Sequence, residues 1–324
     1  MSTDRVRIGV SACLLGERVR YDAGHKRDSL IADILGALVE WVPVCPEVAI
    51  GMGVPRPPIR LLDVAGEVHA IGAEDAALEV TAPLKAYGRR MATELEDIDG
   101  YLFKARSPSC GIARVKLFSR GRTRPRGTGL FAREIMARRP LLPVMEEEGL
   151  HDPARCDNFL ERVFAHRRWR RFLDSGCDAV RLRPFHADHR FSLMAHGAMY
   201  CRALGRLASE GAGRQQQLCD DYGVAFMAAL KHPATPKRQA NVLQHLMGCL
   251  KRRLAADEKQ RLLDAVEGYR VGRIPLSMPR DLLRQHFRRF PDPCVARQLY
   301  LYPEPEEARV REGVQNETGA KEAK

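Results

Sequence analysis

Residues 7–16 read RIGVSACLLG, an apolar run that ends in a polar loop carrying Cys13. Two further short apolar runs, at residues 41–44 and 100–104, have the same strand-like character and also stop at polar loops. Segments with apolar residues at helical spacing separate the three runs. This alternation predicts an α/β N-terminal domain with a mainly parallel sheet over residues 1–185.

The character of the sequence changes after Pro184. Helical periodicity dominates and strand signals vanish, which predicts an all-α C-terminal domain at residues 186–303. Pro236 and Pro279 stand at the first turns of two of these predicted helices, where proline is tolerated. Residues 304–324 are rich in Glu, Gly and Lys, so we expect a disordered tail with little to bury.

Length and composition describe a globular chain. The 324 residues are 45% hydrophobic and 29% charged, which is typical of globular proteins long enough for two domains. The first residues lack the order of a signal peptide, and no apolar run is long enough to span a bilayer. We therefore expect a cytoplasmic protein with no membrane partner and no obligate protein partner.

Three of the nine cysteines follow predicted strands, namely Cys13, Cys45 and Cys110. Loops that leave the carboxyl ends of parallel strands converge on one crevice, so these thiols should meet in space. Three thiolates suit zinc or an iron–sulfur cluster, because both prefer soft sulfur ligands. The spacing offers no close C-x-x-C pair and no fourth ligand. It leaves an open zinc site and a three-cysteine [4Fe–4S] cluster as alternatives.

The other six cysteines lack this setting, and we expect them to be buried apolar fillers or inert surface thiols. They are Cys156, Cys177, Cys201, Cys219, Cys249 and Cys294. An odd number of cysteines in a chain from a reducing compartment argues against a disulfide framework.

Five blocks, in order along the chain, carry a family resemblance. They are VSACLLG at residues 10–16, VRYDAGHKR at 19–27, VCPE at 44–47, SPSCG at 107–111 and GTGLFA at 127–132. With these blocks, residues 7–173 resemble the thiouracil desulfidase family, TudS. Residues 186–303 resemble the YbgA domain through NVLQHLMG at 241–248 and YRVGRIPL at 269–276. The pairing is similar to that of the bacterial desulfidases called RudS.

The resemblance implies a [4Fe–4S] cluster held by Cys13, Cys45 and Cys110, with one iron free. It also implies non-redox desulfidation of 4-thiouridine in tRNA to uridine, in which the free iron takes the sulfur of the thiolated uracil base. The expected partners are therefore tRNA and the thiolated base.

Glu47 and Ser107 are the predicted catalytic residues. Glu47 lies two residues after Cys45, and the resemblance places a functional glutamate at this position, so it is expected to act as a general base or proton shuttle. Its alternative role is a loop carboxylate that pairs with a nearby arginine. Ser107 is expected to hydrogen-bond the substrate or its sulfur, and its alternative role is a turn cap.

Five further residues are predicted near the site. Ser11 and Ser109 are expected to donate hydrogen bonds to the sulfurs of the cluster. Asp22, His25 and Lys26 share one glycine-containing loop, from which a Lys or His would contact the base or a phosphate. The alternative is a solvated loop without a ligand.

The chain has a net charge of +12 and a pI near 9.5, more than solubility requires. Runs of arginine and lysine on both predicted domains favour a polyanion partner, because cations that neutralise phosphates release counterions. The predicted RNA-binding residues are Arg122, Arg124, Arg126, Arg167, Arg168, Arg170, Arg171, Lys251, Arg252 and Arg253.

Three alternatives to tRNA desulfidation stay open. One is a desulfidase of free thiouracil or related thiobases, which would use the same cluster. The second is an iron–sulfur RNA-binding sensor without catalysis. The third is a zinc hydrolase with a three-cysteine site.

Overall fold

The computed structural model describes residues 5–119, 122–210 and 215–322. Contacts divide the chain into two compact units, which are Met1–Arg167 with Glu306–Lys324 (unit 1) and Arg168–Pro305 (unit 2). The predicted boundary at residue 185 differs from this division, because a long helix, Pro153–Asp174, carries the chain from one unit into the other.

The strands of unit 1 form two four-stranded sheets in the described part of the chain. The strands are β1 (Arg7–Ser11), β2 (Glu40–Val44), β3 (Ile59–Val64), β4 (Glu67–Gly72), β5 (Gly100–Phe103), β6 (Val115–Ser119), β7 (Arg122–Gly127) and β8 (Val144–Glu146). The first sheet has the order β2-β1-β5-β8, and its pairs are all parallel. The second sheet, β4-β3-β6-β7, has antiparallel hairpins on either side of one parallel pair.

Helices cover the first sheet and make up unit 2. They are α1 (Pro46–Ala49), α2 (Thr81–Glu94), α3 (Leu130–Arg138), α4 (Pro153–Asp174), α5 (Ala179–Asp188), α6 (Arg190–His196), α7 (Ala198–Glu210), α8 (Gln215–Leu230), α9 (Pro236–Cys249), α10 (Ala256–Arg270), α11 (Ser277–Arg289), α12 (Pro293–Ala296) and α13 (Pro305–Glu322). The predicted fold class, an α/β part with a parallel sheet followed by an all-α part, is confirmed. No described helix is both long enough and apolar enough to cross a membrane.

The first sheet is buried on both faces, which explains why its strands read as continuous apolar runs. On one face Ile8 and Val10 of β1 pack into a core with Phe159 of α4. On the other face Tyr101 of β5 packs against α3. A Cβ atom at Gly9 would lie 2.4 Å from the Tyr101 ring, so only glycine allows this close approach.

The predicted disordered tail is wrong, because α13 packs into the core of unit 1. Val310 and Val314, one helical turn apart, are buried there among residues of β1 and α4. The buried guanidinium of Arg311 holds both carboxylate oxygens of Asp157, with Nε–Oδ1 and Nη2–Oδ2 distances of 2.9 and 2.8 Å. The composition of this segment did not predict a buried helix, because only two valines form its buried apolar face.

Unit 2 is built around aromatic residues. The indole of Trp169, at the end of α4, is 1% exposed and stacks on Tyr222 of α8 with a centroid distance of 5.6 Å. Phe185 of α5 and Phe226 of α8 complete the cluster. The absence of a side chain at Gly223 allows α8 to approach Trp169, since a Cβ atom there would lie 2.6 Å from the indole nitrogen.

Candidate active site

Cys13, Cys45 and Cys110 come together at the carboxyl edge of the first sheet. Cys13 lies in a 3-10 turn directly after β1, and Cys45 directly follows β2 and precedes α1. Cys110 lies in the loop that follows β5. Because β2, β1 and β5 are neighbouring parallel strands, their ends meet, and the three cysteines line one cavity of about 460 Å³.

Cys13 and Cys110 are buried, Cys45 is half-buried, and the three thiols influence one another. Burial, with a smaller contribution from the neighbouring Cys45, raises the pKa of Cys13 to about 11, while Lys104 and Arg20 act in the opposite direction. Burial also raises the pKa of Cys45, and it raises that of Cys110 well above its ordinary value. Thiolates in this cavity therefore need a positive partner to become stable.

Glu47 lines the cavity, and its carboxylate is held by two neighbours. Arg56 forms an ion pair with it, with Nε–Oε2 and Nη2–Oε2 distances of 2.9 and 2.8 Å. The hydroxyl of Ser109, which is fully buried, donates to Oε1. The predicted alternative for Glu47, a carboxylate paired with an arginine, is thus observed in a residue that also faces the cavity.

The serines of the cysteine loops bond to groups of the protein. Ser109 donates to Glu47. The Oγ atom of Ser107 accepts the backbone N–H of Cys110 at 3.1 Å, which is the turn-cap role, and Ser107 also lines the cavity. Ser11 accepts the backbone N–H of Lys104 at 2.9 Å, and its hydrogen bond to Cys110 partly offsets the effect of burial on that thiol's pKa.

The loop that carries Asp22, His25 and Lys26 contributes only in part. Lys26 lines the cavity, and its backbone N–H donates to the carbonyl of Cys13 at 2.9 Å. Asp22 instead accepts the N–H of Gly24 at 3.1 Å, which with an ion pair to Arg20 lowers the pKa of its carboxyl. His25 Nδ1 accepts the backbone N–H of Arg27. Asp22 and His25 therefore shape the loop, as in the solvated-loop alternative.

Arg56 and Lys104 also line the cavity, and no sequence motif predicted either of them. Arg56 stands between prolines in GVPRPP at residues 53–58, a stretch whose composition indicates only a turn. Lys104 ends the run that predicted β5, and its ammonium group bonds Glu147. Neither residue belongs to a motif with a recognisable spacing, and each has one partner far away in sequence, Val19 for Arg56 and Glu147 for Lys104.

The prediction that Arg167 binds RNA is wrong, because this residue lies in the interior of unit 1. It is 4% exposed, and its Nη1 atom lies 2.6 Å from Oε2 of Glu306 in α13. A guanidinium that is buried in an ion pair cannot contact a phosphate. The aromatic ring beside it, Trp169, is likewise in the core.

The remaining predicted RNA-binding residues differ in exposure. Those on the surface include Arg124 and Arg126 of β7 and the run 251–253 after α9. Arg171 is exposed and lies 3.8 Å from Glu304, whereas Arg168 and Arg170 are half-buried. The side chain of Arg122 lies outside the described residues. The surface residues are spread over both units, as predicted.

The cysteines outside the cavity are of three kinds. Cys177 and Cys219 are joined by a disulfide in unit 2, so the prediction of inert thiols is wrong for this pair. Cys156 and Cys201 are buried and free, as expected of fillers, and Cys249 and Cys294 are exposed.

Known proteins resemble the two parts of the chain separately. Residues 8–147 match the family model described as 2-thiouracil desulfurase, and residues 190–305 match the model of a protein of unknown function, DUF1722. "Uncharacterized protein YbgA" of Escherichia coli (strain K12) is 28% identical over 149 residues, 45% of this chain and 87% of that protein.

A solved structure, described as a [4Fe-4S]-dependent thiouracil desulfidase, TudS, is 35% identical to this chain. The match covers 45% of this chain and 93% of the solved one, with a TM-score of 0.36, at which the superposition says nothing about the fold. The resemblances inferred from the motifs are thus confirmed in both parts of the chain. Through residues 8–147 the chain belongs to the 2-thiouracil desulfurase family, and it carries a DUF1722 domain at residues 190–305.

Proposed function

We propose that this protein removes sulfur from 4-thiouridine in tRNA and leaves uridine, using a [4Fe–4S] cluster held by Cys13, Cys45 and Cys110. The observation that carries the proposal is that three loops of one parallel sheet bring these cysteines to the same cavity. The family match, which ends at residue 147, supports a thiolated uracil as the group that reacts.

The donor set fits an iron–sulfur cluster. Three soft sulfur donors with raised pKa values favour a cationic, thiophilic group, which releases their protons on binding. When bound, the cluster supplies an iron with an open position that attracts the sulfur and polarises the C=S bond.

Glu47 is proposed to accept a proton from the attacking water. Its carboxylate lines the cavity, and the contact with the Arg56 guanidinium holds it in place. In the overall reaction water supplies the oxygen and sulfur leaves as hydrogen sulfide, so no electrons are exchanged. The buried hydroxyl of Ser109, which donates to Oε1, fixes the orientation of this carboxylate.

Ser107 and Lys26 are proposed to bind the substrate. Both line the cavity, Ser107 on the Cys110 loop and Lys26 near Cys13. A hydroxyl can hydrogen-bond the exocyclic atoms of the base, and an ammonium can neutralise its phosphate. The same cavity of about 460 Å³ would have to hold the cluster and the reacting base, so the base has to leave its stack to enter.

The tRNA part of the proposal is supported by charge. The net charge of +12 and the exposed arginines of β7 and of residues 251–253 suit a polyanion, which a free base would not require. We propose that residues 186–303 hold the tRNA body through phosphate contacts. Deleting residues 186–324 would be a poor test of this role, because that deletion also removes α13 from the core of unit 1.

The test compares substrates on cluster-loaded protein prepared without oxygen. Loss of the near-ultraviolet absorbance of the thiolated base is followed for tRNA containing 4-thiouridine and for free 4-thiouracil. We expect a much larger kcat/KM for the tRNA. Equal or better turnover of the free base would overturn the tRNA proposal in favour of the free-thiobase alternative. An unchanged absorbance with both substrates would favour the sensor alternative.

A further inference from the structure

Arg56 makes an unusual number of contacts for a residue without a predicted role. Its side chain is 3% exposed. The Nη1 and Nη2 groups donate to the carbonyls of Gly53 and Val19, each at 2.9 Å. Nε and Nη2 also bind Oε2 of Glu47, so every nitrogen of the guanidinium is engaged.

These contacts connect the three cysteine-bearing segments of the site. Val19 lies on the segment after Cys13, and its carbonyl also lies 3.6 Å from the sulfur of Cys45. The backbone N–H of Arg56 donates to the carbonyl of Tyr21 on that segment at 2.9 Å. Arg56 contacts the segment of the second cysteine through Glu47, which follows Cys45 by two residues.

From Glu47 the network reaches the third cysteine loop. Oε1 of Glu47 accepts the hydroxyl of Ser109, the residue immediately before Cys110. That loop is itself fixed, since a Cβ atom at Gly129 would lie 2.4 Å from the carbonyl oxygen of Ser109. One guanidinium thus ties together the loops of all three cysteines.

We propose that Arg56 is the positioning residue of this site: it fixes the carboxylate of Glu47 and the spacing of the three cysteine loops. The inference rests on the proposed function for its effect on turnover. Its effect on the cysteine loops is measurable without any substrate. The planar fork of arginine matters here, because a lysine ammonium cannot bind Glu47, Gly53 and Val19 in the same fixed geometry.

The experiment compares Arg56→Lys and Arg56→Gln with Arg311→Lys in the cluster-loaded full chain. Arg311 is the matched control, since it is an arginine of the same unit with a side chain only 13% exposed, binds Asp157 and Glu307, and does not line the cavity. For each variant the thermal midpoint, the rate of iron loss to a chelator, and kcat and KM on thiolated tRNA are measured.

For Arg56→Gln we expect kcat per loaded protein to fall about 100-fold with little change in KM, because a displaced carboxylate no longer meets the water. Arg56→Lys should lose about tenfold, as charge alone does not restore the fork. Iron loss should be about tenfold faster in both variants. Arg311→Lys should lower the thermal midpoint while keeping kcat and iron loss near wild type.

Two results separate the inference from the proposed function. If wild-type protein acts on no thiolated substrate, the proposed function fails, and iron loss alone decides the role of Arg56. The inference itself is overturned if Arg56→Lys matches wild type in iron loss, or if Arg311→Lys changes iron loss and kcat to the same extent.

Discussion

Cysteines are placed differently in the two units. In unit 1, Cys13, Cys45 and Cys110 sit at strand ends and line a cavity. In unit 2, Cys201 and Cys219 lie within helices α7 and α8, and Cys219 is used in a disulfide. A side chain on a helix packs against neighbouring elements, and the backbone polar groups of the helix hydrogen-bond one another. The end of a parallel strand, in contrast, leads into a loop that faces a crevice. The cysteines proposed to be functional therefore lie where strands end.

Burial alone does not distinguish the two placements. Cys156 of unit 1 is more buried than the cavity cysteines, and burial raises the pKa of its thiol to about 12. It lies inside α4, packed among apolar residues, and does not line the cavity. The position relative to the strand ends is the difference that predicts function, and four measurements test this contrast.

The largest effect is expected from removing a cavity cysteine. Cys13→Ala, Cys45→Ala or Cys110→Ala should reduce bound iron from about four atoms per chain to near zero after anaerobic reconstitution, since a cluster with two ligands is not retained. Cys156→Ala is the matched control and should keep its iron. Iron analysis and visible absorbance provide the measurement. A cavity variant with full iron would remove that cysteine from the ligand set.

The second prediction concerns the helix that returns to unit 1. Val310→Ala should lower the free energy of unfolding by about 2 kcal/mol, because two buried methyl groups are lost and a cavity remains. Val180→Ala, at a side chain that is 78% exposed, should change it by less than about 0.5 kcal/mol. Urea titration of both variants decides. Equal effects would mean that α13 adds nothing to the core.

The third prediction uses the thiol pKa values. In metal-free protein Cys13, with a pKa raised by burial to about 11, is protonated at neutral pH. Its alkylation rate should therefore rise about tenfold per pH unit up to that value, because only the thiolate reacts. Cys156, with a pKa near 12 and no cavity, should react more slowly throughout. Mass spectrometry of the labelled peptides reports both rates, and equal rates would contradict the contrast.

The smallest expected effects are on RNA binding. Arg252→Ala in unit 2 and Arg124→Ala in unit 1 should each weaken tRNA binding a few-fold and lower the slope of log affinity against log salt by about one. Both side chains are exposed. Fluorescence anisotropy over a salt series measures the two slopes. If only Arg124→Ala changes the slope, the α-helical unit does not hold the RNA.

Sequence reasoning succeeded where local pattern and topology agree. Strand ends, read from three short apolar runs, were enough to bring Cys13, Cys45 and Cys110 together. It failed where a partner is distant: Arg167 has the pattern of a surface arginine, and its partner Glu306 is 139 residues away. Arg56 was missed for a related reason, since its carbonyl acceptors are backbone groups that leave no trace in residue type.

The return of α13 to unit 1 also has a consequence for the order of events during translation. The β1 strand is synthesised before unit 2, whereas Val310 and Val314, which cover part of its core, are synthesised after unit 2. Unit 1 therefore has apolar surface uncovered while unit 2 is being made, a situation that favours chaperone binding to the nascent chain. The core of unit 1 can close only once residue 314 has been synthesised.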